Sequence, residues 1–161
     1  MTGRLQTAGH LVLRFFGHLT ARPLSPEEQR YVHERLSGPC ADLFWKQSFP
    51  DQRHAVTVAQ RVESKLPADA EAIEAALLHD VGKWRPNVGA VSRSIATLLH
   101  YARLPMTRRM WAYRDHGHRG ASELEQAQCG GLAVEFARRH PASAPEGIDP
   151  DRWQVLLEAD G

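Results

Sequence analysis

Apolar positions along the chain recur at three- and four-residue spacing, and Pro, Gly and capping residues interrupt the runs too regularly to leave room for a sheet. The pattern predicts an all-α protein, a compact multi-helix bundle. Leu11-Val12-Leu13-Arg14-Phe15-Phe16 is short and broken by arginine, so it reads as an amphipathic helix and not as a membrane span or signal peptide. Ser25 followed by Pro26-Glu27-Glu28 is a helix start, with Tyr31, Val32 and Leu36 facing inward and Gly38 as the stop. Leu43-Phe44-Trp45 reads as an apolar connector. Asp51 is expected to cap the next helix, Pro67 to end it, Asp69 to cap another, and Gly82 to close that one, which places His79 and Asp80 in its last turn. Asn87 is expected to begin a helix through Ile95, Leu98 and Leu99, with Pro105 as a break before Met106 to Tyr113. Ala121 to Gln128 is a further helix closed by Gly130-Gly131, and Asp149-Pro150 opens the last one after a Pro-rich loop from Pro141.

Four of these amphipathic faces carry a metal-competent side chain. His54 shares the apolar side of its helix with Val58 and Val62 at i, i+4 and i+8. The run Ala72-Ile73-Glu74-Ala75-Ala76-Leu77-Leu78 leads into His79-Asp80. Ala133, Phe136 and Ala137 lead to His140, and Trp153, Leu156 and Leu157 lead to Asp160. A single inward histidine is most often a hydrogen-bonded core residue. Four such faces in one bundle are expected to converge, because an imidazole and a carboxylate buried without partners cost several kcal/mol or more. The donors are nitrogen and oxygen without thiolate, a set that suits Mn, Fe, Co, Ni, Zn or Mg. Asp160, at a helix C-terminus, opposes the helix dipole unless a cation is near, and as the penultimate residue it is expected to fray unless coordination ties it down. Lys83 projects from the helix end beside His79-Asp80, where an ammonium can neutralise a phosphoryl oxygen. Arg53, Arg61, Arg108-Arg109 and Arg138-Arg139 read as solvated faces.

Composition narrows the function classes. With 161 residues, 42% hydrophobic and 24% charged, the chain is expected to form one domain. A net charge of +1 from 20 basic and 19 acidic residues carries no basic field for nucleic acid. Cys40 and Cys129 stand 89 positions apart, outside any paired motif. Neither a disulfide framework nor a thiolate zinc site is expected from them, and a reducing cytoplasm fits.

His54, then Ala76-Leu77-Leu78-His79-Asp80-Val81-Gly82-Lys83, then His116-Gly117-His118-Arg119-Gly120-Ala121, then His140, then Leu157-Glu158-Ala159-Asp160 resembles the HD-domain superfamily of metal-dependent phosphohydrolases. The resemblance runs from about Pro50 to Asp160, with residues 1–49 outside it as extra helices packed on an HD-like core of residues 50–161. It implies that His54, His79, Asp80 and Asp160 hold one divalent metal. It also implies that His116 and His140 hold a second metal or contact phosphate, while His118 has no counterpart. The implied activity is hydrolysis of a phosphate ester of a nucleotide or similar small metabolite by a metal-activated water, with Asp80, Lys83 and His116 as the catalytic groups. The same ligand set also suits a di-iron oxygenase, and a third reading is a non-catalytic module that binds metal and nucleotide. Pocket walls are expected around Trp84 to Val91 and Pro105 to Arg114, where Trp84, Trp111 and Tyr113 are placed to stack on a base.

Overall fold

The computed structural model describes residues 22–84 and 116–161, the latter without the His116 side chain. The expected helices over Leu11–Phe16, Asn87–Leu99 and Met106–Tyr113, together with Trp111, Tyr113, Arg108 and Arg109, lie outside these residues. Among the described residues there are seven α-helices and no strand, as the spacing predicts. They are α1 (Pro26–His33), α2 (Gly38–Trp45), α3 (Phe49–Lys65), α4 (Ala70–Leu78), α5 (His116–Gln126), α6 (Gly131–Arg139) and α7 (Pro150–Asp160), with a 3₁₀ turn at Val81–Lys83 after α4. None is long and apolar enough to cross a membrane.

The packing is organised around α4. Ala72, Ile73, Ala75, Ala76, Leu77 and Leu78 are all buried, so this helix is apolar nearly all round and has neighbours on every side. It packs on α2, α3, α6 and α7. Alanines at 72, 75 and 76 are buried in the same cluster as Ala55 and Ala59 of α3. Full burial of each leucine is worth about 1.5–3 kcal/mol. One apolar cluster joins Leu24, Val32, Leu36, Leu43 and Phe44 to the residues of α3 through α7.

Several helix limits differ from the sequence expectation, each for a local reason. Ser25 caps α1 in a reciprocal capping box with Glu28, as expected. That helix stops at His33, and Gly38, with φ +53°, begins α2 instead of ending α1. Leu43-Phe44-Trp45 is accordingly helix and not a connector. Ser48, not Asp51, occupies the N-cap of α3, and its hydroxyl donates to the buried Asp51 carboxylate at 2.5 Å. Asp69 caps α4 by accepting from the Ala72 amide. The α-helix ends at Leu78, so His79 is its C-cap and Asp80 lies one residue beyond, at the entry to the 3₁₀ turn. Helix α5 starts at His116, five residues before the expected Ala121.

A larger correction concerns the cysteines. Cys40 and Cys129 are joined in a disulfide, with Cα atoms 5.8 Å apart. Their distance along the chain hid this, because tertiary folding alone brings α2 against α4 and α5. With the pair bonded, the argument from unpaired cysteines for a reducing compartment no longer holds. The end of α5 delivers Cys129: the Gln128 amide donates to Glu125 O and the Cys129 amide to Leu124 O, with Gln128 at φ +58°. That is a left-handed Schellman closure built without glycine.

Two glycines of α5 exist for close approach. A Cβ at Gly117 would stand 2.7 Å from the Ala137 carbonyl of α6, and one at Gly120 would stand 3.0 Å from the Gly82 amide. Both obstacles are backbone and cannot swing aside. Gly117→Ala is expected to cost about 1–3 kcal/mol by urea unfolding, because α5 must move off α6.

The cap of α4 also carries a charge pair. Arg152 of α7 donates through two nitrogens to Asp69. Partial burial alone would raise the Asp69 pKa, but the guanidinium and the Ala72 amide hold it below the usual carboxylate range. A folded-state value depressed in this way stabilises the protein above the unfolded pKa of ~4 and is lost as pH falls through the lower folded value. Asp69→Asn, which keeps the cap acceptor, is expected to lose about 0.5–1 kcal/mol near neutral pH. In urea melts taken at successively lower pH, the gap from wild type should close.

Candidate metal centre

The four expected first ligands come together at the C-terminal end of α4. His54 projects from the second turn of α3, His79 and Asp80 follow α4, and Asp160 is the last residue of α7. Donor atoms of His54, His79 and Asp80 all lie within 4.8 Å of one another. Asp160 Oδ1 completes the group, 2.9 Å from His54 Nε2 and 3.3 Å from His79 Nε2. His79 and Asp80 are each 1% exposed, while His54 and Asp160 form the partly open side.

Backbone contacts set the direction of two imidazoles. His79 Nδ1 lies 2.8 Å from the Ala76 carbonyl. A carbonyl only accepts, so Nδ1 carries the proton and Nε2 faces the carboxylates. His140, the C-cap of α6, repeats the arrangement. Its Nδ1 donates to Phe136 O at 2.9 Å, and its Nε2 faces Asp80 Oδ1 at 4.0 Å. Helix α6 thus brings His140 to Asp80 Oδ1, while His79 lies nearest Oδ2.

The electrostatics follow from two acids meeting in a desolvated place. Burial alone would push the His79 imidazole down, but the Asp80 and Asp160 carboxylates outweigh it and carry its pKa up to about 10. Burial would raise Asp160, yet His54 and His79 hold it far below the usual carboxylate range. His140 shifts the other way, pushed down by burial and by the neighbouring His79 charge.

The residues fit a divalent cation on one observation in particular. His79 Nε2 is fully buried and lies 3.4 Å from Asp80 Oδ2 and 3.3 Å from Asp160 Oδ1, with no contact of hydrogen-bond geometry to either. A buried donor atom that points between two carboxylates and a second imidazole without completing a hydrogen bond is oriented as a metal ligand is.

The remaining expected residues fall as follows. Lys83 Nζ donates to Asp80 Oδ2, so it pairs with one of the expected ligand carboxylates. His116 opens α5, and its side chain is outside the described residues. His118 is exposed. Trp84 is half-buried, its indole donating to Glu123 of α5 at 2.7 Å. Arg53 pairs with Glu28, and Arg138 and Arg139 pair with Glu125 and Glu135 near the surface. A second group of metal-type donors, not expected from the sequence, gathers Cys40, Glu74 and Cys129.

Arg61 is exposed, as expected, and has a contact that the reading as a solvated face did not include. Its guanidinium donates to the Ala159 carbonyl at 3.0 Å, and Lys65, one turn on, pairs with Glu158. The chain end holding Asp160 is therefore tied to α3 by protein groups, where metal alone was expected to secure it. The signal was visible as an arginine two turns after His54 on the same helix, but its target is a backbone carbonyl, which no residue pattern marks.

No family model, no curated protein and no solved structure matches this chain. Function therefore rests on the site itself.

Arg61→Ala is expected to speed amide exchange in the last turn of α7, Leu157 to Gly161, while the core helices keep their protection. The global cost should stay near 1 kcal/mol, the worth of one exposed hydrogen bond.

Proposed function

We propose that the protein is a metal-dependent phosphohydrolase of the HD type, cleaving a phosphate ester of a nucleotide or similar small metabolite. The observation that carries the reading is the buried His79, its Nε2 aimed between Asp80 and Asp160 with His54 beside them. The order of ligand types along the chain supports it, together with Lys83 three residues after Asp80.

His54, His79, Asp80 and Asp160 would hold the cation, and His140 Nε2 faces the far oxygen of Asp80, where a second cation or a phosphoryl oxygen would find it. A bound divalent ion supplies Lewis acidity toward phosphoryl oxygens and lowers the pKa of water. The net reaction adds water across the ester: the water oxygen bonds to phosphorus, the P–O bond to the alcohol breaks, and the alcohol leaves with a proton. Asp80 would orient that water or take its proton. Lys83 Nζ, paired with Asp80 Oδ2, would supply positive charge to a phosphoryl oxygen bound beside Asp80. The surrounding wall is apolar, with Phe136 against both His79 and His140 and Trp153 edge-on to Phe136. That wall excludes bulk water from one side of the site.

The test is phosphate release from a panel of nucleotides and small phosphate esters, with Mn, Co, Ni, Zn and Mg supplied separately. At least one pairing should turn over, and Asp80→Asn should lower that rate by ~10²–10⁴-fold while thermal melting shows a folded protein. No release across the panel, or an Asp80→Asn variant as active as wild type, would overturn the assignment.

A further inference from the structure

Cys40, Cys129 and Glu74 sit together on the face of the bundle formed by α2, α4 and the α5–α6 connection, apart from the histidine centre. The three can offer donor atoms all within 4.8 Å of one another. Each is half-buried, open enough to exchange a ligand and sheltered enough to hold one. Glu74 is the only acid in the apolar run of α4. Its Oε1 accepts from the Gly130 amide at 3.1 Å, and among the described residues no basic side chain pairs with it. Through that bond the carboxylate sits at the N-terminal end of α6, beside the two sulfurs.

We infer that, once the disulfide is reduced, Cys40, Cys129 and Glu74 form a second metal site, specific for a thiophilic divalent cation of the zinc type. The donor set of two thiolates and one carboxylate leaves a fourth position for water. A Cα separation of 5.8 Å permits both states. It lies within the range of a disulfide, and it also allows two thiolates to stand ~3.8 Å apart, as tetrahedral Zn–S bonds of ~2.3 Å require. The exchange balances. A dithiol reductant gives two electrons and two protons to the S–S bond, which breaks to two thiols as the reductant closes to its own disulfide; metal binding then releases the two thiol protons.

The placement gives the site a structural purpose. Glu74 is five residues before His79 on the central helix, and Cys129 is two residues before the start of α6, which ends at His140. A bond or a cation at this point joins the helix that leads to His79 and Asp80 to the start of the helix that leads to His140. The left-handed turn at Gln128 that positions Cys129 is closed by backbone hydrogen bonds that do not involve the sulfur.

Cobalt distinguishes this site from the histidine centre, because only thiolate ligation produces a sulfur-to-cobalt charge-transfer absorption. Protein reduced anaerobically with dithiothreitol and freed of reductant is titrated with Co²⁺ and then with Zn²⁺. The expected result is a charge-transfer band that saturates with Co²⁺, is bleached by Zn²⁺, keeps its affinity on dilution of the protein, and is missing from unreduced protein and from Cys40→Ser. Glu74→Gln, which leaves both cysteines in place, should weaken Co²⁺ binding about tenfold or more. A reduced wild-type protein without the band, a band whose affinity is unchanged in Glu74→Gln, or one that falls away on dilution as thiolates shared between molecules would, overturns the inference. Phosphate release plays no part in this readout, so the site stands or falls independently of the hydrolase reading.

Discussion

The burial of His79 between Asp80 and Asp160 is the constraint on which the rest of this bundle depends. Helix α4 is apolar nearly all round, so whatever follows it emerges inside the protein. An imidazole and a carboxylate placed there lose their hydration and must be compensated by groups brought from elsewhere. His54 comes from α3, Asp160 from the last turn of α7 and His140 from the end of α6. Those three helices are also among the neighbours that cover α4. The elements that bury the helix are therefore the ones that satisfy its polar end, and core and site form one packing problem.

The precision of the site rests on backbone more than on side chains. The Ala76 and Phe136 carbonyls fix two imidazoles, and the Ala159 carbonyl, held by Arg61, fixes the turn carrying Asp160. Glycine does similar work at the contact between α5 and its neighbours, where Gly117 meets Ala137 and Gly120 meets Gly82 closely enough that no side chain fits. The 3₁₀ turn with Asp80 and Lys83 is thus pressed directly by α5. The same helix places Cys129 through its left-handed cap, so its register bears on both groups of metal-type donors.

Much of this was legible from residue order. The helical class, the cap at Ser25, the cap at Asp69 and the start of the last helix at Pro150 follow from local rules that act over three or four residues. The inward faces of His54, His79, His140 and Asp160 follow from periodicity. Less legible were limits set by competition between neighbouring signals. Ser48 preceded Asp51 as the cap, Gly38 opened a helix instead of closing one, and α4 ended at Leu78, one turn earlier than Gly82 suggested, ahead of the 3₁₀ turn at Val81–Lys83.

What the sequence by itself determined is the inventory and its phase: which side chains can bind a cation, and that each lies on the buried side of its own helix. Phase is a local property, since it depends only on the 3.6-residue turn. Tertiary structure alone decided which helices meet. It brought Cys40 to Cys129 across 89 residues, set Glu74 beside them, and gave the surface charge of Arg61 a bond to the Ala159 carbonyl. These contacts join distant segments, and in the last of them the partner is a backbone group common to every residue. Their energies therefore enter only when the whole chain packs, and no short pattern of residues encodes them.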